Sequence, residues 1–172
     1  MRKIMVTVLW FILAVILIVT ATFAIDRDGF WTRLAGDPDL GQTDFHTLRP
    51  APKPNEALIC PEGFCPNRQP DAVPKTYNLP AEELRDKFAI ALAAQADTVR
   101  LDDNANPLTL RYVSRTKWMR FPDTISIEFV PLSKTTSTLA IHAKAKLGYS
   151  DMGNNLDRVK NWLNVLDEAV KS

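Results

Sequence analysis

Two patterns place this amino-acid sequence in the α+β class. Residues Thr138 to Leu147, TLAIHAKAKL, alternate apolar and polar side chains as a half-buried strand does. After a polar turn, Leu156, Val159, Leu163, Leu166 and Val170 recur at helical spacing, so one stripe of a helix can lie on that strand's apolar face. A third pattern, an uncharged apolar run near the N-terminus, precedes everything expected to fold. The predicted architecture is α+β: an antiparallel four-stranded meander with two helices packed on one face, preceded by one transmembrane helix and a Pro-rich linker. The boundaries are 1–24 for the anchor, 25–78 for the linker and 79–172 for the domain.

The run Ile4 to Ala24 carries no charge. At about 1.5 Å of rise per residue it spans roughly 30 Å, the thickness of a bilayer's hydrocarbon core. Arg2 and Lys3 precede it, while Asp26, Arg27 and Asp28 follow. The positive-inside rule then places the N-terminus in the cytoplasm and the rest on the periplasmic side of the inner (plasma) membrane, as a single-pass protein. Phe30 and Trp31 suit an interfacial aromatic belt, or are ordinary linker aromatics. The alternative is a cleaved signal peptide ending at Thr22-Phe23-Ala24. Signal peptides usually carry a shorter apolar region, about 7 to 15 residues, so an uncleaved anchor is expected.

Between Ile25 and Asn78 lie eight of the twelve prolines and four of the six glycines. Pro50, Pro52, Pro54, Pro61, Pro66, Pro70 and Pro74 favour extended, semi-rigid chain, which either holds the domain off the bilayer or drapes over its surface. This stretch is expected as spacer, not core. Within it, Cys60-Pro-Glu-Gly-Phe-Cys65 stands in a compartment argued to be oxidising, so a disulfide is expected. Free thiols and a metal or redox site are the alternatives. A metal needs about four ligands and only His46 and His142 remain as soft partners, so neither metal nor cofactor is predicted.

In the domain, Pro80 opens a helix with Glu82 and Glu83 in its first turn. Leu84, Phe88, Ala91, Leu92 and Gln95 form its buried stripe, and it ends near Ala96. A strand follows from Thr98 to Leu101. The run Asp102-Asp-Asn-Ala-Asn-Pro107 lacks the spacing of a calcium loop and is read as a turn. The second strand, Leu108 to Arg115, puts Leu108, Leu110 and Tyr112 on one face and Arg111 and Arg115 on the other. The third, Thr124 to Val130, points Ile125, Ile127 and Phe129 inward and Ser126 and Glu128 outward. Short links between strands make an antiparallel meander the economical topology.

A net charge of +1 leaves no electrostatic footprint for nucleic acid, and no such partner is expected. The sequence has no nucleophile elbow, zinc-protease motif, phosphate loop or dinucleotide glycine pattern. Ser150, His142 and Asp151 have the residue types of a nucleophilic set. From His142 to Leu147, however, an extended strand covers roughly 17 Å, and Ser150 lies beyond it. No catalytic residue is therefore assigned; Ser150 or Asp151 caps the last helix. A small periplasmic hydrolase using Ser150 or Asp151 remains the alternative. Arg111 and Arg115 share a sheet face with His142, Lys144 and Lys146 if the register holds. That basic face is either an ordinary solvated one, partly paired by Glu128, or a site for an acidic partner or anionic lipid, aided by the helix start after Tyr149. A third alternative is a structural subunit that buries Trp118 or Trp162 against a partner.

Several stretches together carry a resemblance: Ser114-Arg115-Thr116, Arg120-Phe-Pro-Asp123, Lys146-Leu-Gly-Tyr-Ser-Asp-Met-Gly153, Asn155, Arg158, Cys60-Pro61 and Cys65. From roughly Cys60 to Leu166 the chain resembles the bacterial and plastid family catalogued as domain of unknown function 1499. Ala145-Lys146 stands where that family has Ser-Arg, and Asn155-Leu156-Asp157-Arg158 where it has Asn-Arg-x-Arg. The resemblance implies a small membrane-associated or exported domain and brings no biochemical activity with it. The candidate anion- or partner-binding residues are Arg111, Arg115, His142, Lys144, Lys146, Tyr149, Asn155 and Arg158. The expected function is a non-catalytic binding or accessory module for a membrane complex or lipid surface, attached to the bilayer through residues 4–24.

Overall fold

The computed structural model describes residues 1–101 and 106–171. In chain order the elements are α1 (Arg2–Ile25), α2 (Arg27–Ala35), β1 (Glu56–Ile59), α3 (Ala81–Leu92), β2 (Thr98–Leu101), β3 (Thr109–Arg115), β4 (Pro122–Pro131), β5 (Ser137–Ala145) and α4 (Asn154–Lys171). The turn expected at Asp102 to Pro107 falls mostly on 102–105, outside the described residues.

β2 to β5 form the expected antiparallel meander. The sheet nevertheless has five strands, in the order β1-β5-β4-β3-β2. The added strand pairs with β5 from Glu56↔Lys144 to Ile59↔Ile141. It escaped the sequence pattern for a physical reason: four residues between prolines are too few to display a period of two.

α3 and α4 pack on one face of the sheet. Leu84, Phe88 and Leu92 of α3 and Val159, Trp162 and Leu166 of α4 meet Leu110, Tyr112, Ile125, Ile127, Phe129, Leu139, Ile141 and Ala143. The alternation in the strands thus becomes the core that the two amphipathic helices complete. Trp162 is 3% exposed and sits edge-on to Tyr112 and Phe88, with ring centroids 5.6 and 6.3 Å away. That burial removes it as a partner-facing residue. Trp118, in contrast, is 78% exposed. α3 stops at Leu92 rather than Ala96. Beyond it the chain tightens into three-residue turns, Ala93 N–H to Ile90 O and Gln95 N–H to Leu92 O.

The other face of the sheet is covered by residues expected to be spacer. The segment 36–48 crosses it as an extended strap, where the backbone N–H of Leu40 donates to Thr124 Oγ1 and that of Thr43 to Ser126 Oγ, each at 3.0 Å. Hydroxyls on the sheet surface thereby satisfy strap amides that no neighbouring strand reaches. Phe45 is fully buried against Leu58, Cys60, Cys65 and Ala140, forming a second small core. Cys60 and Cys65 stand at disulfide distance there, with Cα atoms 6.3 Å apart. The proline-rich stretch therefore drapes over the domain and supplies α2, β1 and the strap. α1 buries none of its residues in the rest of the chain.

Candidate functional site

Register places the predicted basic residues together. One cross-strand row on the strap face reads Leu58, His142, Ser126, Arg111, and the next reads Glu56, Lys144, Thr124, Val113. Arg111, Arg115, His142 and Lys144 share that face, as expected. It is not open to solvent, because the segment running from α2 to the strap lies on it. Arg111 Nε meets Asp39 at 3.1 Å, and Arg115 Nε meets Asp28 at 3.2 Å. These neutralising carboxylates arrive from the N-terminal stretch. Glu128 lies opposite Ala140 instead, and burial raises its carboxyl above the ordinary value.

His142 is the centre of the covered face. Its Nε2 is 3.1 Å from Glu56 Oε2 and its Nδ1 is 2.8 Å from Thr43 Oγ1. Glu56 also accepts from the Ala51 N–H at 3.0 Å and pairs with Arg68 at 2.8 Å. Arg68 in turn reaches Asp71 at 3.3 Å, which accepts the Leu58 N–H of β1 at 2.7 Å. Burial pushes the Glu56 carboxyl up, but the His142 and Ala51 hydrogen bonds and the Arg68 charge more than offset this and bring it to about 2. Glu56 is thus ionised at neutral pH and only accepts, so Nε2 carries a proton. In the neutral ring, Nδ1 accepts the Thr43 hydroxyl proton. The order hydroxyl, imidazole, carboxylate is that of an activated nucleophile, held between strap and sheet.

A cleft of about 380 Å³ opens beside this cluster, lined by His142, Lys144 and Thr124 from the sheet and by Gln42, Thr43 and Thr47 from the strap. Lys144 and Lys146 are half-buried and Tyr149 is 70% exposed. Ser150 and Asp151 are engaged locally. Ser150 Oγ accepts the Met152 N–H at 3.1 Å, while the Asp151 carboxylate accepts from Gly153 and Asn155 at 3.2 and 2.9 Å, capping α4. Both His142 ring nitrogens face Thr43 and Glu56, so the hydroxyl brought to the imidazole is Thr43, not Ser150. Asn155 and Arg158 form a separate cluster. Arg158 donates to Asn155 Oδ1 at 2.6 Å and to Asp123 Oδ2 at 2.7 Å, on the helix-covered side of the sheet. Burial raises the Asp123 carboxyl despite that guanidinium, and Asp151 adds to the rise. Among the described residues no group of three or more His, Cys, Asp or Glu side chains is placed to hold a metal ion.

The family described as protein of unknown function (DUF1499) matches residues 45–166. The chain belongs to that family. The DUF1499 match begins at Phe45, the buried anchor of the strap, and ends at Leu166, a fully buried residue of α4. It takes in all five strands, α3, α4 as far as Leu166, the cysteine pair and the Glu56–Arg68–Asp71 network. α1, α2, Asp28 and Asp39 lie outside it. No curated protein matches the chain.

Sequence reasoning found His142 and its basic neighbours but missed Thr43, Glu56, Arg68, Asp28 and Asp39. Their only common sequence feature is position among prolines and glycines, which signals extended chain and carries no register. A carboxylate there becomes informative only once the strap and β1 are seated.

Proposed function

We propose that this DUF1499 protein is a single-pass inner-membrane protein whose α+β domain lies on the periplasmic side and works as a non-catalytic binding or accessory module. The observation that carries this reading is α1, a 24-residue helix with an 18-residue stretch of mean hydropathy 2.9 and no buried residue. Such a surface is stable only in a lipid environment. The cysteine pair at disulfide distance fits an oxidising compartment. A partner or anionic headgroup would be met at Lys144, which lines the 380 Å³ cleft, and at Lys146 and the exposed Tyr149 further along the chain. Arg111, Arg115, Asn155 and Arg158 are engaged in internal ion pairs and hydrogen bonds.

Alkaline carbonate extraction and protease treatment of intact spheroplasts test the reading together. The chain should remain with the membrane, and added protease should reach residues beyond α2. Release by carbonate, or a domain protected until the cells are lysed, overturns it. Mild-detergent purification followed by mass spectrometry of co-purifying proteins and lipids then identifies the partner class.

A second reading, hydrolysis, has one observation in its favour: the Thr43–His142–Glu56 order beside a cleft. Turnover of simple esters that is retained by Thr43→Ser and lost in Thr43→Ala would establish it.

A further inference from the structure

Asp26 alone separates α1 from α2, and the elbow it makes is braced. Its carboxylate accepts the Gly29 N–H at 2.8 Å and meets Arg33 at 3.1 Å. α2 is fastened in turn to the connection between β3 and β4. Trp31 Nε1 donates to the carbonyl of Met119 and Arg27 to that of Trp118, Arg120 pairs with Asp28 at 2.8 Å, and the Trp31 and Phe121 rings pack with centroids 4.8 Å apart. Arg120 holds this position at φ 60, a strained backbone for a side chain other than glycine, while its guanidinium also reaches Asp97. The β3–β4 turn is therefore fixed at the level of the last turn of α1. Nothing slack lies between them.

What this level presents to its surroundings is amphipathic. Trp118 is 78%, Met119 44%, Ile25 86% and Leu34 67% exposed. Arg27, Arg33 and Lys117 stand among them. A mainly apolar cleft of about 590 Å³ opens in the elbow between Thr22, Ile25, Phe30 and Leu34, with Arg33 at its edge.

We infer that the α1–α2 elbow and the β3–β4 turn form a platform that seats the domain on the phospholipid bilayer crossed by α1. Trp118 and Met119 lie in the headgroup region, Ile25 and Leu34 meet the acyl boundary, and the three cations face lipid phosphates. The occupant follows from continuity: a surface rigidly joined to the end of a membrane span, one residue away, is already at the interface. Its composition, an indole with apolar neighbours and cations, is what that layer selects. The inference rests on α1 being a retained anchor.

The test uses the full chain in phosphatidylcholine vesicles with and without phosphatidylglycerol. With Cys60 and Cys65 oxidised, single cysteines at Trp118→Cys, Met119→Cys and Lys134→Cys take an environment-sensitive fluorophore, and lipids spin-labelled near the headgroup act as quencher. Lys134 sits in the turn at the far end of β4. The expected result is blue-shifted emission at 118 and 119, with severalfold deeper quenching than at 134. Equal, water-like emission at all three sites of a chain that resists carbonate extraction overturns the platform and leaves the anchor intact. Extraction by carbonate overturns the anchor itself.

Discussion

Replacing Glu56 with Gln tests whether the covered charge network holds the N-terminal stretch on the sheet. The side chain is 5% exposed, so its charge is felt at close range by His142 and Arg68. Its carboxyl falls from an ordinary 4.5 to about 2 in the folded chain. That difference corresponds to about 3 kcal/mol of stability. The sign follows from the depressed folded value: the contribution is complete above the unfolded value of 4.5 and is lost as pH drops from there toward 2. Glu56→Gln keeps the shape and removes the charge. Urea unfolding of the domain in detergent micelles should show the variant less stable by about 3 kcal/mol at pH 7. The gap should shrink steadily between pH 4.5 and 2, where wild type and variant converge. Asp123, whose raised carboxyl favours the folded state as pH falls, acts in both proteins and cancels in the difference. A gap of the same size at pH 7 and near pH 2 would refute the reasoning.

Other perturbations follow from the same contacts. Phe45→Ala empties the small core under the strap and should cost about 3–5 kcal/mol, seen as a lower thermal midpoint and faster proteolysis within 36–48. Trp162→Ala should destabilise by a similar amount, because the indole fills the space between Tyr112 and Phe88; unchanged stability with loss of a partner would contradict the core placement. Reducing Cys60–Cys65 opens a short loop and should cost about 2 kcal/mol in the same urea assay. Charge reversal at Lys144 and Lys146 should weaken capture of an acidic partner or anionic vesicles without changing the thermal midpoint; binding at wild-type strength would reject the cleft as the contact.

The parts of the fold that sequence reveals are those with local periodicity. Ile125, Ile127 and Phe129, or Val159, Leu163 and Leu166, announce a face by spacing alone, and the helices and meander follow. β1 and the strap had no such signature. Their seats depend on partners far along the chain, Ile141 for Ile59 and Ser126 for Thr43. The same division runs through the site. His142 was legible as a polar residue on a sheet face, yet its meaning changed once Thr43, Glu56 and the strap closed over it. A face read as either solvated or partner-binding is largely covered, because acidic residues that composition assigned to a spacer supply its counter-charges.

β1 is also the first strand to be synthesised and one of the two edges of the finished sheet. Its strand partner, β5, is the last strand to be made. During synthesis Leu58 and Ile59 therefore lack their β5 partners until nearly all of the domain has followed. Once home, the segment closes the sheet like a clasp, with Asp71 and Arg68 fastening it from behind. A truncation starting at Leu79 would leave the edge of β5 bare and prone to pair with another copy.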